Sequence, residues 1–136
     1  MNRILFLAVF LSGFLNLSAQ ITTEPALPVA SQKVTITFDS SKESRLGYFT
    51  GDLYAHTGLI TEKSTSDDDW KYVIESWGNN TAQPKLTNKG SGIYELEITP
   101  DIYSFYAVPI SERITKLALV FRSSDGKQQT NNLYIV

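Results

Sequence analysis

An antiparallel β-sandwich of immunoglobulin-like type, with about seven strands, is the fold class this sequence predicts. Three observations carry the prediction. Short runs alternate apolar and polar side chains with period 2, turn residues separate them at close intervals, and no stretch has the spacing of an amphipathic helix.

Taken in order, the first 19 residues read as a secretory signal peptide. Arg3 is followed by an apolar run from Ile4 to Leu15, and Ser18-Ala19 supplies small residues for cleavage before Gln20. The run is broken by Ser12-Gly13 and is shorter than the ~20 residues of a membrane helix, so no membrane span is expected after cleavage. Residues 20–136 then form one domain. Gln20 to Ser31, with two prolines and no alternation, should be an extended leader along a sheet edge.

Val34, Ile36 and Phe38 alternate with Thr35, Thr37 and Asp39, the pattern of a half-buried strand. A loop to Gly51 follows, then a strand over Asp52 to His56 that Gly58 should end. Thr61 to Asp69 is a polar excursion. Trp70 to Trp77 (WKYVIESW) is the next expected strand, broken by Gly78-Asn79-Asn80, and Lys85 to Thr87 a short edge strand.

Ile93 to Thr99 alternates cleanly up to Pro100. The aromatics of Asp101 to Val108 do not, and a helical turn crossing between sheets suits them. Lys116 to Arg122 is an apolar run with a charge at each end, expected as a central strand buried on both faces. Asp125-Gly126 is a hairpin signal, with Leu133 to Val136 as the returning strand.

Composition limits the function classes. Loss of Arg3 with the leader leaves 11 basic against 14 acidic side chains, a net charge of −3, which suggests no nucleic-acid partner. One histidine and no cysteine make a zinc site improbable, so no metal or other cofactor is expected. The adjacent Asp67, Asp68 and Asp69 cannot all face one calcium ion and read as a solvated acidic loop. A glycosidase needs two carboxyl groups across a cleft. Here the acids lie mostly in loops or on wet strand faces, no nucleophile-elbow motif is present, and no catalytic residue is assigned.

The chemistry that remains is binding through aromatic faces. The C–H groups of a sugar ring form an apolar patch that stacks on indole or phenol, leaving the hydroxyls free for hydrogen bonds. Trp70 and Trp77 have opposite parity, so a regular strand sends their rings to opposite faces and one of them into the core. Trp77, beside the polar Gly78-Asn79-Asn80, is the expected platform, and Trp70 joins it if the strand starts later or bulges. Asn80 and Lys85 are candidate partners for hydroxyls, with Asn79 and Gln83 nearby. Tyr54 and His56 share a face of the second strand and would add a ring and a donor. Stacking alone suits α- and β-glucans equally.

Several segments carry a family resemblance: Gly51-Asp52-Leu53-Tyr54-Ala55-His56-Thr57-Gly58, Trp70-Lys71-Tyr72-Val73, Trp77-Gly78, Lys85-Leu86, Phe105-Tyr106-Ala107-Val108-Pro109 and Leu119-Val120-Phe121-Arg122-Ser123-Ser124-Asp125-Gly126. Together they resemble the β-sandwich modules at the front of secreted α-amylase-family proteins of Gram-negative polysaccharide degraders, akin to their surface starch-binding modules. The resemblance implies a secreted, periplasmic or cell-surface module that binds starch or a related α-glucan beside a glycoside hydrolase. No catalytic domain follows Val136, which leaves open a fragment of a larger enzyme or an independent binder. The alternative is an immunoglobulin-like spacer or protein-docking module with no sugar site, its tryptophans in the core or an interface.

Overall fold

The computed structural model describes residues 20–47 and 49–136. The signal peptide expected over residues 1–19 lies outside the described residues. Among the described residues, no helix is long and apolar enough to cross a membrane.

Among the described residues, seven strands form two antiparallel sheets. β1 (Ile21–Glu24), β2 (Val34–Asp39), β5 (Ile93–Ile98) and β4 (Thr87–Gly90) make a four-stranded sheet in the order β1-β2-β5-β4. β3 (Leu53–Thr61), β6 (Ile114–Ser123) and β7 (Leu133–Ile135) make the second, in the order β3-β6-β7. Lettered A to G along the chain, this is ABED over CFG, the strand order of immunoglobulin constant-type domains. The sandwich predicted from alternation is therefore present, without the inter-sheet disulfide of antibody domains.

Alternation decides which residues face inward. Val34, Ile36 and Phe38 of β2 and Tyr94, Leu96 and Ile98 of β5 meet Leu53, Ala55 and Leu59 of β3 and Leu117, Leu119 and Phe121 of β6 in one buried core. Phe38 and Phe121 join the sheets, their rings 4.8 Å apart and tilted by 56°. Each such side chain contributes about 1.5–3 kcal/mol by leaving water. The expected helical turn is α1 (Ile102–Tyr106), which carries the chain from β5 to β6; the Asp101 carboxylate caps it by accepting from Ser104 N at 2.8 Å. Inside the core, Tyr106 and Thr57 hydroxyls lie 2.7 Å apart, and Thr57 also donates to the Ala118 carbonyl.

Three expectations need correction. The leader contains a strand: β1 pairs with β2 from Ile21 opposite Phe38 to Glu24 opposite Thr35. Gly58 does not end β3, which continues to Thr61, paired in register with β6 as far as Ile60 and shifted by a bulge at Thr61. Trp70 to Trp77 is no strand, for among the described residues its only ladder contact is one bridge from Lys71 to Leu59. Residues 84–86 do pair with β3, through Ala55 N to Pro84 O and Leu86 N to Leu53 O, both at 2.8 Å. The chain then crosses to the other sheet, where β4 begins at Thr87, so the edge strand predicted over Lys85 to Thr87 is shared between the two sheets.

Candidate functional site

Cross-strand pairs place Tyr54 opposite Arg122, His56 opposite Val120, Gly58 opposite Ala118, Ile60 opposite Lys116, and Ala118 opposite Tyr134. Paired residues share a face, so these side chains form the outer face of the β3-β6-β7 sheet, away from the core. Residues 62–70 cross that face, where Asp67 meets Lys116 and Tyr134, and residues 71–83 return along the open edge of β3 with Val73 folded over Gly58. Lys71 exchanges both backbone hydrogen bonds with Leu59, at 2.7 and 2.8 Å, and Ile74 N donates to Thr57 O at 3.2 Å. Between these contacts Tyr72 is left-handed, with φ 52°, which breaks the strand the alternation suggested. Gly58 admits the crossing: a Cβ there would lie 2.9 Å from Val73 Cγ2 and 3.0 Å from the Lys71 carbonyl oxygen. The Tyr72 hydroxyl donates to Glu112, pinning the segment to the loop before β6.

The crossing brings the aromatic residues into one row. The His56 ring stacks on Trp70, with centroids 5.5 Å apart and planes at 25°, and meets Trp77 edge-on at 4.8 Å. Trp70 meets Tyr134 edge-on at 6.5 Å. A cation closes each end, Arg122 at 5.4 Å from the Trp77 ring centre and Lys116 at 5.7 Å from that of Tyr134. Both tryptophans therefore lie on the same outer face, against His56, rather than one in the core. Parity failed because it assumes a regular strand, and the left-handed Tyr72 interrupts this one.

The two indoles differ in what they leave free. Trp70 is half-buried and its Nε1–H donates to the Asp67 carbonyl at 3.0 Å, an oxygen that also accepts from the Tyr134 hydroxyl at 2.9 Å. Trp77 is 53% exposed, and among the described residues its Nε1–H meets no protein acceptor. Arg122 backs it from within the fold. That side chain is only 4% exposed, donates from Nη1 to Asn80 Oδ1 at 2.8 Å, and extends towards Gly126, where a Cβ would lie 2.6 Å from Nη2. A cavity of about 190 Å³ opens beside the row, lined by His56, Asp68, Trp70, Trp77, Val120 and Asn132.

Of the residues singled out from sequence, His56, Trp70 and Trp77 are brought together, and Tyr54, Asn80 and Lys85 are not. Tyr54 shares the outer face but makes no ring contact with either tryptophan among the described residues. The Asn80 amide is committed to Arg122 and to the Ser124 carbonyl, which it reaches at 2.8 Å, and Lys85 pairs with Asp52 at 3.1 Å. Tyr134, Arg122, Asn132 and Asp68 were missed. The strand assignment of LYIV and KLALVFR carried the only signal for Tyr134 and Arg122, since strand parity sets their side chains on the outer face once the pairing is known.

The three aspartates diverge. Asp67 pairs with Lys116 at 2.7 Å, Asp69 with Lys71 at 3.1 Å, and Asp68 lines the cavity. Among the described residues no three His, Cys, Asp or Glu side chains are grouped to hold a metal ion. Burial, and then the neighbouring Arg122 charge, hold the His56 ring below its ordinary pKa. The Glu75 carboxylate is held below the usual range chiefly by the Thr81 hydroxyl and the Ala82 amide, with the Gln83 amide adding to them, and so fastens the return of the crossing segment. No protein-family model and no curated protein sequence matches this chain.

Proposed function

We propose that the chain is a noncatalytic carbohydrate-binding module that takes starch or a related α-glucan on the outer face of the β3-β6-β7 sheet, as an accessory to a glycoside hydrolase. One observation carries the reading: Trp77 presents a half-exposed indole with a free N–H beside a cavity walled by His56 and Trp70. Such a ring stacks on the C–H face of a pyranose while the polar groups around it meet hydroxyls. The α-glucan class comes from the family resemblance of the strand and turn segments, and the signal peptide read over residues 1–19 makes the module an exported one.

Native electrophoresis of residues 20–136 through gels containing starch, pullulan, laminarin or no polysaccharide tests it. Retardation by starch and pullulan is the expected result. Equal mobility in every gel removes the sugar site.

A separate feature favours a second reading, a docking or spacer module. The loop after β1, the α1 connection and the end of β7 lie at one pole of the sandwich, and there Leu27, Val29, Ile110 and Val136 are all exposed. Grouped apolar exposure of this kind marks contact surfaces. Equal mobility in the gels would leave this reading standing.

A further inference from the structure

The turn that carries Trp77 is held from beneath by a buried amide. Gln83 is 5% exposed, its Nε2 lies 3.3 Å from the Ser76 carbonyl oxygen and 3.2 Å from His56 Nδ1, and its Oε1 is buried without a partner. A carbonyl oxygen only accepts, so the Gln83 atom facing Ser76 is the nitrogen. The His56 nitrogen facing that same NH2 group must then accept as well. A neutral imidazole has one acceptor and one donor, which puts the His56 proton on Nε2. Among the described residues Nε2 meets no protein acceptor, while the ring lines the cavity beside Trp77.

We propose that His56 is the hydrogen-bond donor of the carbohydrate site, that Gln83 is a positioning residue which fixes its tautomer, and that protonating the ring weakens ligand binding by loosening the turn that carries Trp77. The proposal rests on the cavity's being the sugar site. Nε2–H donates to a hydroxyl oxygen of a pyranose stacked on Trp77. A proton added at Nδ1 faces the Gln83 NH2 group, donor against donor. Relief comes from turning the amide so that Oε1 takes the Nδ1 proton, which sets Oε1 against the Ser76 carbonyl and breaks that tether. Ser76 immediately precedes Trp77, so the proton on His56 is felt at the platform. The charged groups facing the ring are Arg122 from β6, which opposes a second positive charge, and Asp68 from the crossing loop, which favours one. Val120, Asn132 and the two indoles are neutral.

The chain has one histidine and two tryptophans, so nuclear magnetic resonance reads each without ambiguity. Long-range proton–nitrogen spectra of residues 20–136 at about pH 7.5, without ligand, should show the Nε2–H tautomer. On acidification the Trp77 indole N–H resonance should move in step with the titration of His56, below its ordinary value of 6.5. Maltoheptaose affinity should fall about three- to tenfold over the same transition, the scale of one hydrogen bond. In Gln83→Glu, a carboxylate that only accepts should draw the proton to Nδ1, raise the pH at which the ring titrates and move the affinity midpoint up with it. An Nδ1–H tautomer in the native chain, or a Trp77 resonance indifferent to His56, overturns the proposal even if maltoheptaose binds. If the tautomer and the coupling appear but neither maltoheptaose nor laminarihexaose binds at any pH, the sugar reading and the donor role fall together while the tautomer lock stands.

Discussion

Trp77 and Trp70 sit on the same face of the same sheet, yet their substitutions should act on different quantities. Trp77 is half-exposed and, among the described residues, has an unused N–H, so Trp77→Ala should weaken glucan binding by about 1–3 kcal/mol, the scale of ring stacking on nucleobases, with little change in the melting temperature. Trp70 bonds the Asp67 carbonyl and stacks on His56, so Trp70→Ala should lower the melting temperature as well as the affinity. Calorimetric titration with maltoheptaose alongside thermal melts separates the two; unchanged affinity in Trp77→Ala removes that ring from the site. His56 gives a prediction about pH. Its pKa is lower in the folded than in the unfolded chain, so the unfolded chain takes up the proton first as pH falls. The stability tied to this ring is complete above pH 6.5 and is lost as pH falls through the lower folded value. Urea unfolding of the native chain between about pH 7.5 and pH 5 should show that loss, and His56→Gln should flatten it; equal slopes would mean that the ring carries no linkage. Glu75, Asp69, Glu112 and Asp125 are also held low, but their contributions fade further into acid.

At the scale of elements, the site depends on one close approach, of residues 70–77 over Gly58. A methyl group there would press on both Val73 and the Lys71 carbonyl, and a backbone atom cannot swing aside as a side-chain tip can. Gly58→Ala should therefore cost about 1–3 kcal/mol, the scale of overpacking, and should push the crossing segment outward; chemical denaturation and acrylamide quenching of the indoles would detect both effects. A variant as stable and as protected as the native chain would show that the crossing has slack. What sequence reasoning could see follows the same division. β2, β5, β6 and α1 were legible because each is defined by its own pattern: strict alternation, a run buried on both faces, or aromatics without strand period. The crossing segment was not. WKYVIESW has the alternation of a strand, but β3 offers it only one bridge before Tyr72 turns left-handed, and nothing local announces that. Gly58 was misread for a related reason, since a glycine inside a strand marks close approach of another backbone as readily as an end. His56 and the tryptophans were legible as candidates because their residue types announce them, whereas their neighbours Tyr134 and Arg122 needed the register of β6 with both adjoining strands.

For the molecule as a whole, both indoles belong to the crossing segment and the core belongs to the two sheets, so tryptophan fluorescence and far-ultraviolet circular dichroism report on different parts of one domain. The segment is tied down by Lys71 to Leu59, Ile74 to Thr57 and Tyr72 to Glu112, three attachments spread along residues 71–74. Its opening is therefore expected to coincide with loss of the sheets, as in the two-state unfolding of small single domains. Phe121→Ala removes a ring that packs on Phe38 across the sandwich and should cost about 3–5 kcal/mol. Against a typical total of about 5–15 kcal/mol that is a large fraction, and both signals should move to lower urea together, because the platform is fastened to β3, which pairs along its length with the β6 strand that carries the ring. Gly58→Ala should separate them. Strain between the segment and β3 loosens the attachment without emptying the core, so fluorescence should change at lower urea than dichroism, the signature of a locally unstable unit. Were the two signals separate already in the native chain, the platform would be ordered independently of the sandwich, and a glucan would have to fasten it on binding.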